Sequence, residues 1–308
     1  MKYGFLCITI LALLGCSQSD TTPKSSTKAF IQAPNAPQSI PNLPDFMYFA
    51  GEKIVLEDED IRERLDREVL TNAYYQSATI QIFKRANRWF PMIERILKEE
   101  KIPTDFKYLA VIESGLVQAV SPVGAQGFWQ FMPFTAKEYE LEISAEVDER
   151  LHIEKSTRAA CAYLRKAQDT LKDWLLASAS YNRGIGGVRQ DMRWQGTSHY
   201  FDTDQNSETA RYVFRILAFK LIFENPIAYG FDLSHIELYE PYQTKTVTIR
   251  ESIPNLAKWA NDHQINFKIL TKLNPWLKSN NLTIRNKSYQ LLLPAESENL
   301  KPYKLYLQ

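Results

Sequence analysis

Pro103-Thr-Asp-Phe-Lys-Tyr-Leu-Ala-Val-Ile-Glu113-Ser114-Gly115 is followed, after a short interval, by Gly124-Ala-Gln-Gly127-Phe-Trp-Gln130-Phe-Met-Pro133. The first segment reads as a short helix: Pro103 suits its opening turn, and Tyr108, Leu109, Ile112 and Leu116 recur at helical spacing. Gly115 is a natural stop, which puts Glu113 in the last turn. The negative end of the helix dipole and the apolar neighbours Val111, Ile112 and Leu116 both disfavour a charged carboxylate there. Such a group stays protonated longer than usual and can serve as a general acid. Taken alone, though, a helical Glu is more often a solvated surface group, so the rest of the chain has to decide.

Residues 118–127 read as a loop broken by Pro122, Gly124 and Gly127. A phosphate cradle would want Lys and Ser/Thr directly after the glycines, and neither is there. The next residues, 128–132, are apolar around the single amide of Gln130, and Pro133 with the Thr135…Glu138 spacing predicts a new helix. Upstream, Ile61, Leu65, Val69 and Ala73, then Ile80, Phe83, Phe90, Ile93 and Leu97, predict helices from about residue 57 to 101. Glu94 in that block reads as solvated or ion-paired. Downstream, residues 148–171 and the Ala-rich 173–181 are helical, and the second block ends at Tyr181-Asn182-Arg183-Gly184-Ile185-Gly186-Gly187-Val188, read as a stop and turn. A last helix runs from about Glu208 to Phe223, closed by Pro226. Beyond Pro241 the pattern changes to a strand over 244–249, short helices over 253–263 and 266–273, and a strand over 289–293. This is a small β-α-α-β unit, expected to be separate from the helical domain.

A chain of 308 residues allows two domains, and a net charge of +1 gives no argument for nucleic acid. Lys2, the apolar run over 5–14 and Leu13-Leu14-Gly15-Cys16 predict a targeting segment too short to span a bilayer. Residues 17–44 are polar and Pro-rich, as a flexible tether would be. Cys161 lies among alanines and reads as a small core residue, and His152, His199, His235 and His263 lack metal-ligand spacing. No metal or other cofactor is expected.

In chain order the informative set is Glu113-Ser114, Gly124-Ala125-x-Gly127-x-x-Gln130-x-Met132-Pro133, Ala179-x-Tyr181-Asn182-x-Gly184 and Glu208-Thr209-x-x-Tyr212-Val213, with Asp148-Glu149-Arg150 and Trp174-x-x-Ala177-x-Ala179 between. It closely resembles the lytic murein transglycosylases of the lysozyme-like superfamily, best the membrane-bound type D branch. The resemblance implies a mainly α chain: a goose-type/SLT lysozyme-like helical domain followed by a small β-α-α-β LysM-like domain. The expected divisions are a lipoprotein signal peptide over 1–16 with Cys16 lipidated, a linker over 17–45, the catalytic domain over 46–235, the LysM-like domain over 240–296 and a tail over 297–308.

The implied activity is non-hydrolytic cleavage of the MurNAc-β-1,4-GlcNAc bond of peptidoglycan glycan strands. Glu113 would be the single acid/base, with Gln130 bonding substrate or the catalytic carboxylate, Met132 lining the sugar site and Tyr181 beside the acid. Ser114, Asn182 and Glu208 would either touch substrate or hold the structure. Arg183 stands where the family usually has a small residue. In the LysM-like part, Arg250-Glu251-Ser252 and Asn286-Lys287 depart from the usual turn residues. Glycan binding by that module is therefore either kept or lost. The implied location is the cell envelope, lipid-anchored at the periplasmic face of the outer membrane. The competing expectations are a goose-type-like hydrolase and a catalytically silent wall-binding lipoprotein.

Overall fold

The computed structural model describes residues 40–296 and 300–302. The expected signal peptide, Cys16, residues 17–39 of the linker and most of the tail lie outside the described residues. The described chain opens with a hairpin that the sequence reading did not anticipate: β1 (Phe46–Phe49) pairs antiparallel with β2 (Glu52–Val55). Ala50 and Gly51 both have positive φ (53° and 86°), as a two-residue hairpin turn requires. The strands alternate, with Met47, Phe49 and Ile54 buried and Phe46, Tyr48 and Val55 exposed.

The helical domain consists of α1 (Glu59–Tyr74), α2 (Gln76–Glu99), α3 (Lys107–Ser114), α4 (Pro133–Glu138), α5 (Ile153–Leu171), α6 (Trp174–Arg183), α7 (Ile185–Gln195) and α8 (Ser207–Glu224). Its centre is α8, which is apolar nearly all round and packs against α1, α3 and α6. Its buried Lys220 donates to Asp105 at 2.8 Å, and its exposed Arg211 reaches back to neutralise the buried Glu68 of α1 at 2.7 Å.

Three local expectations are corrected. The Thr135…Glu138 capping box does not form: α4 begins at Pro133, whose fixed φ suits the first turn, with no side-chain cap. The run after Tyr181 is only partly a turn. Gly184, at φ +77°, suffices to break the chain, and Ile185, Val188 and Met192 then recur at helical spacing and build α7. In the C-terminal unit, α9 starts at Leu256 rather than 253, because Ile253 is held in a β-bridge to Leu282 and Asn255 caps the helix through Lys258 N at 2.8 Å.

That unit is β3 (Thr244–Ile249), α9 (Leu256–Asp262), α10 (Phe267–Leu273) and β4 (Tyr289–Pro294), with β3 and β4 antiparallel. It has a hydrophobic core of its own, but it is not separate, and this too corrects the sequence reading. Val147 and Leu151 of the helical domain are built into that core. Asp148 N donates to Trp276 O at 2.9 Å and Lys278 N to Glu146 O at 2.8 Å. The Glu146 carboxylate accepts from Thr283 N and Asn281 Nδ2, both at 2.6 Å, and from Thr283 Oγ1 at 2.9 Å. Trp276 is stacked between His152 and Tyr289, and burial lowers the His152 pKa to about 4, so its ring is neutral.

Candidate active site

Gly115 ends α3 in the left-handed region, φ +59°, with its N–H on Val111 O at 2.7 Å and its carbonyl accepting from Arg85 Nε at 2.6 Å. The stop fixes the direction of Glu113, two residues earlier in the last turn. Its carboxylate keeps an edge open toward solvent but is crowded by neighbouring groups, and Oε1 accepts a hydrogen bond from the Tyr212 hydroxyl of α8. Burial raises the Glu113 pKa from 4.5 to about 7. The Tyr212 bond and the positive charge of Arg215 pull it back, and the charge of Glu208 pushes it further up. Arg215, whose guanidinium donates to Ile112 O at 3.2 Å, sits on the same face of α8 as Tyr212.

The glycine loop is anchored from behind. A Cβ on Gly127 (φ +84°) would stand 2.1 Å from the carbonyl oxygen of Arg150, so only glycine fits. Arg150 is buried, pairs bidentately with Asp148 at 2.9 and 2.7 Å, and donates to Gly124 O at 2.8 Å and Phe131 O at 3.2 Å. The Asp148-Glu149-Arg150 run therefore holds both ends of the loop. Its last apolar residues dock as well: Trp129 is buried, with Nε1 donating to Thr157 Oγ1 at 2.9 Å.

The expected site residues fall into two groups. Tyr181 donates its hydroxyl to Trp129 O at 2.9 Å, and burial and the charge of Glu113 raise its pKa well above the ordinary value, so the phenol stays neutral beside the acid. Glu208 lies exposed at the start of α8, within electrostatic reach of Glu113. Asn182 ties the two walls together, donating to Glu208 Oε1 at 3.1 Å and accepting from Thr209 Oγ1 at 2.7 Å.

The others take structural positions. The Ser114 hydroxyl donates to Phe128 O at 3.0 Å and to Ala110 O at 3.2 Å, and accepts from Leu116 N at 3.1 Å. Gln130, with φ +47°, donates to Gly127 O at 2.8 Å and Ala119 O at 3.2 Å, bracing the loop rather than bonding Glu113. Met132 is 41% exposed before α4, and Arg183 pairs with Asp191 at 3.2 Å. Glu94 is ion-paired with Lys107 at 2.6 Å. Cys161 is buried among core residues, and burial raises its thiol to about 12.

The sequence reading assigned no role to Tyr212 or Arg215. Tyr212 lies four residues after Glu208, one helical turn, a spacing that puts both on one face. Nothing local marks Arg215. Among the described residues no group of three or more His, Cys, Asp or Glu could hold a metal, and no helix is long and apolar enough to cross a membrane.

Residues 90–203 match the family model "Transglycosylase SLT domain", and residues 245–297 match "Soluble lytic transglycosylase C-terminal LysM-like domain". Membrane-bound lytic murein transglycosylase D of Escherichia coli (strain K12) is 25% identical over 83% of this chain, which spans 57% of that relative's length. A putative tributyltin chloride resistance protein of Alteromonas sp. (strain M-1) is 32% identical over 39% of this chain and 58% of its own. Among solved structures, an inactive mutant of lytic transglycosylase Slt from Pseudomonas aeruginosa aligns over 57% of this chain and 33% of its own, at 22% identity and a TM-score of 0.38. The chain thus carries an SLT transglycosylase domain followed by a LysM-like domain, and it is homologous to membrane-bound lytic murein transglycosylase D.

Proposed function

We propose that this chain is a peptidoglycan lytic transglycosylase that cleaves the MurNAc-β-1,4-GlcNAc bond without consuming water. The observation that carries the proposal is Glu113, a carboxyl that burial holds near neutrality at about 7 beside two tyrosines that stay protonated. Most glycosidases use two carboxylates roughly 5–10 Å apart, and substrate-assisted enzymes replace one of them with the substrate's own acetamido group. Protonated Glu113 gives its proton to the leaving glycosidic oxygen while the muramyl N-acetyl oxygen closes on C1 from the opposite face. The carboxylate so formed takes the proton of the same sugar's C6 hydroxyl. That oxygen then attacks C1 and displaces the acetamido oxygen, leaving a 1,6-anhydromuramyl end. The Tyr212 hydroxyl stabilises Glu113 in its charged interval, which ends when the proton taken from the C6 hydroxyl returns the carboxyl to its starting form.

The supporting residues take proposed roles in keeping with their partners. Tyr181 and the loop held by Gln130 and Ser114 shape the wall beside the acid, Met132 offers an apolar edge to the sugar, and Asn182 positions Glu208 to meet it from the far side. Residues 46–235 are the proposed catalytic domain and 240–296 the LysM-like one. The first sixteen residues are proposed as a lipoprotein signal with Cys16 lipidated, placing the enzyme at the periplasmic face of the outer membrane. Radiolabelled palmitate incorporated by the wild type and not by Cys16→Ser is the expected result. For the reaction, mass spectrometry of digested sacculi is expected to show muramyl ends one water lighter than reducing ends. Ordinary reducing ends would make the enzyme a hydrolase, and no release of fragments would make it a wall-binding protein only.

A further inference from the structure

A cavity of about 900 Å³ lies between the two domains, away from the acid: Glu113, Tyr181 and Tyr212 are not among its lining residues. Its volume falls within the range of small-molecule sites, roughly 300–1,000 Å³. One wall is the face of the β3–β4 sheet turned away from α9 and α10, where Thr244, Thr246 and Gln290 present hydroxyl and amide groups. The floor is apolar and includes Trp89, Leu116 and Phe128. At one end stands Tyr242, with the Arg88 guanidinium 4.1 Å and the Lys272 ammonium 5.2 Å from its ring centre. Arg88 uses Nε on Glu240 O and one terminal nitrogen on the Tyr242 hydroxyl, both at 2.8 Å. Among the described residues neither Arg88 nor Lys272 forms an ion pair, unlike Lys155 and Arg158, which also line the cavity and pair with Glu149 and with Glu99, Glu100 and Glu154.

Two unneutralised cations at one end, a row of neutral hydrogen-bonding groups and an apolar floor fit one ligand chemistry. It is a flat-faced, hydroxyl- and amide-rich molecule with a carboxylate at one end. We propose that this cavity is a second ligand site, distinct from the catalytic one, that takes an N-acetylated sugar carrying an acidic peptide substituent. The choice of ligand rests on the reading of the chain as a peptidoglycan enzyme. The cavity's place gives the site a consequence for catalysis. The floor residues Leu116 and Phe128 are two of the three whose backbone groups hold the Ser114 hydroxyl, next to Glu113. An occupant therefore touches residues that hold Ser114, the neighbour of the acid in the chain.

The test is isothermal titration of the full chain carrying Glu113→Gln with a 1,6-anhydro-disaccharide-tetrapeptide. Tri-N-acetylchitotriose and the free tetrapeptide serve as separate probes. Two binding events are expected for the whole fragment. Thr246→Trp, at an exposed strand position, fills the cavity and is expected to abolish one event and leave the other. Lys272→Gln is expected to weaken the same event about tenfold for the fragment and not for chitotriose. A single event on the parent chain, or two that survive Thr246→Trp with its folding intact by circular dichroism, overturns the proposal. Binding of the free tetrapeptide as tightly as the fragment overturns the assignment to a sugar. Wild-type digestion of sacculi is measured alongside. Activity without a second event sinks the cavity site alone, whereas a second event without activity sinks the enzymatic reading and leaves the site standing.

Discussion

Glu113 is where the proposed chemistry and the stability of the fold pull against each other. A carboxyl raised from 4.5 to about 7 binds its proton more tightly folded than unfolded. Stability is therefore lost as pH rises between those two values, by a total on the order of 3 kcal/mol. Glu113→Gln, which cannot ionise, is expected to melt higher than the wild type at pH 8 and level with it near pH 4. A calorimetric comparison showing no such divergence would mean the group titrates normally. The same variant is expected to lose at least about 10²-fold in turnover while still sedimenting with sacculi. Because the acid must start protonated, kcat/KM is expected to fall as pH rises through about 7. Tyr212 donates to the charged form and so lowers that pKa; Tyr212→Phe should move the alkaline limb to higher pH. A limb that stays put would remove Tyr212 from the proposed mechanism. The position of Glu113 was legible in the sequence because a glycine stop and an apolar helix end are local features. Its hydroxyl partner was not, since Tyr212 meets it only through the packing of α8 on α3.

At the scale of elements, the glycine loop shows how a tight turn is specified from outside itself. Gly127→Ala places a methyl group 2.1 Å from the Arg150 carbonyl oxygen, and backbone cannot yield as a side chain can. A loss of about 3 kcal/mol and a fall in Tm of roughly 10 °C are expected. Gly124→Ala shares the positive φ but meets nothing within 4 Å, so its effect should be the smaller. Equal effects would show that backbone strain, not the close approach, governs both. The loop itself was readable from Pro122 and the two glycines. The buried Asp148–Arg150 pair that secures it is visible in the sequence as Asp148-Glu149-Arg150, but its purpose is not, because its targets lie more than a dozen residues away. The helices α1, α2, α5 and α8 were legible from their long apolar period. The hairpin β1–β2 and the helix α7 were missed for opposite reasons: four-residue strands carry too little periodicity, and glycines in the first turn of α7 imitate a loop.

For the whole molecule, the decisive contacts are those of Glu142 and Glu146 across the domain boundary. Glu142 pairs with Lys287 at 2.6 Å and accepts from the Tyr289 hydroxyl at 3.0 Å. Hydrogen bonds from Thr283 and Asn281 lower the Glu146 pKa, the backbone bond from Thr283 first. A depressed carboxylate contributes stability above its unfolded pKa and loses it as pH falls through the folded one. Acidification below about 4.5 is thus expected to loosen the LysM-like unit before the helical domain melts. Glu146→Ala should do so at neutral pH, seen as faster proteolysis within residues 278–284. Unchanged cleavage would show the docking to rest on the Glu142 contacts, the backbone bonds and the apolar contacts of Val147 and Leu151. The connection between the domains is likewise tied down, with Tyr239 N on Lys84 O at 3.2 Å and Asn87 Nδ2 on Tyr239 O at 3.2 Å. Sequence patterns delimit a module well but say little about whether it swings free, since docking depends on a few side chains scattered through another domain. A graft illustrates what this docking entails. Exchanging residues from 241 onward for a module from another protein would leave Arg88, Glu142 and Glu146 facing surfaces never shaped for them. The two parts are heirlooms of one another rather than interchangeable beads, and a working chimera would have to carry residues 142–151 along with its new module.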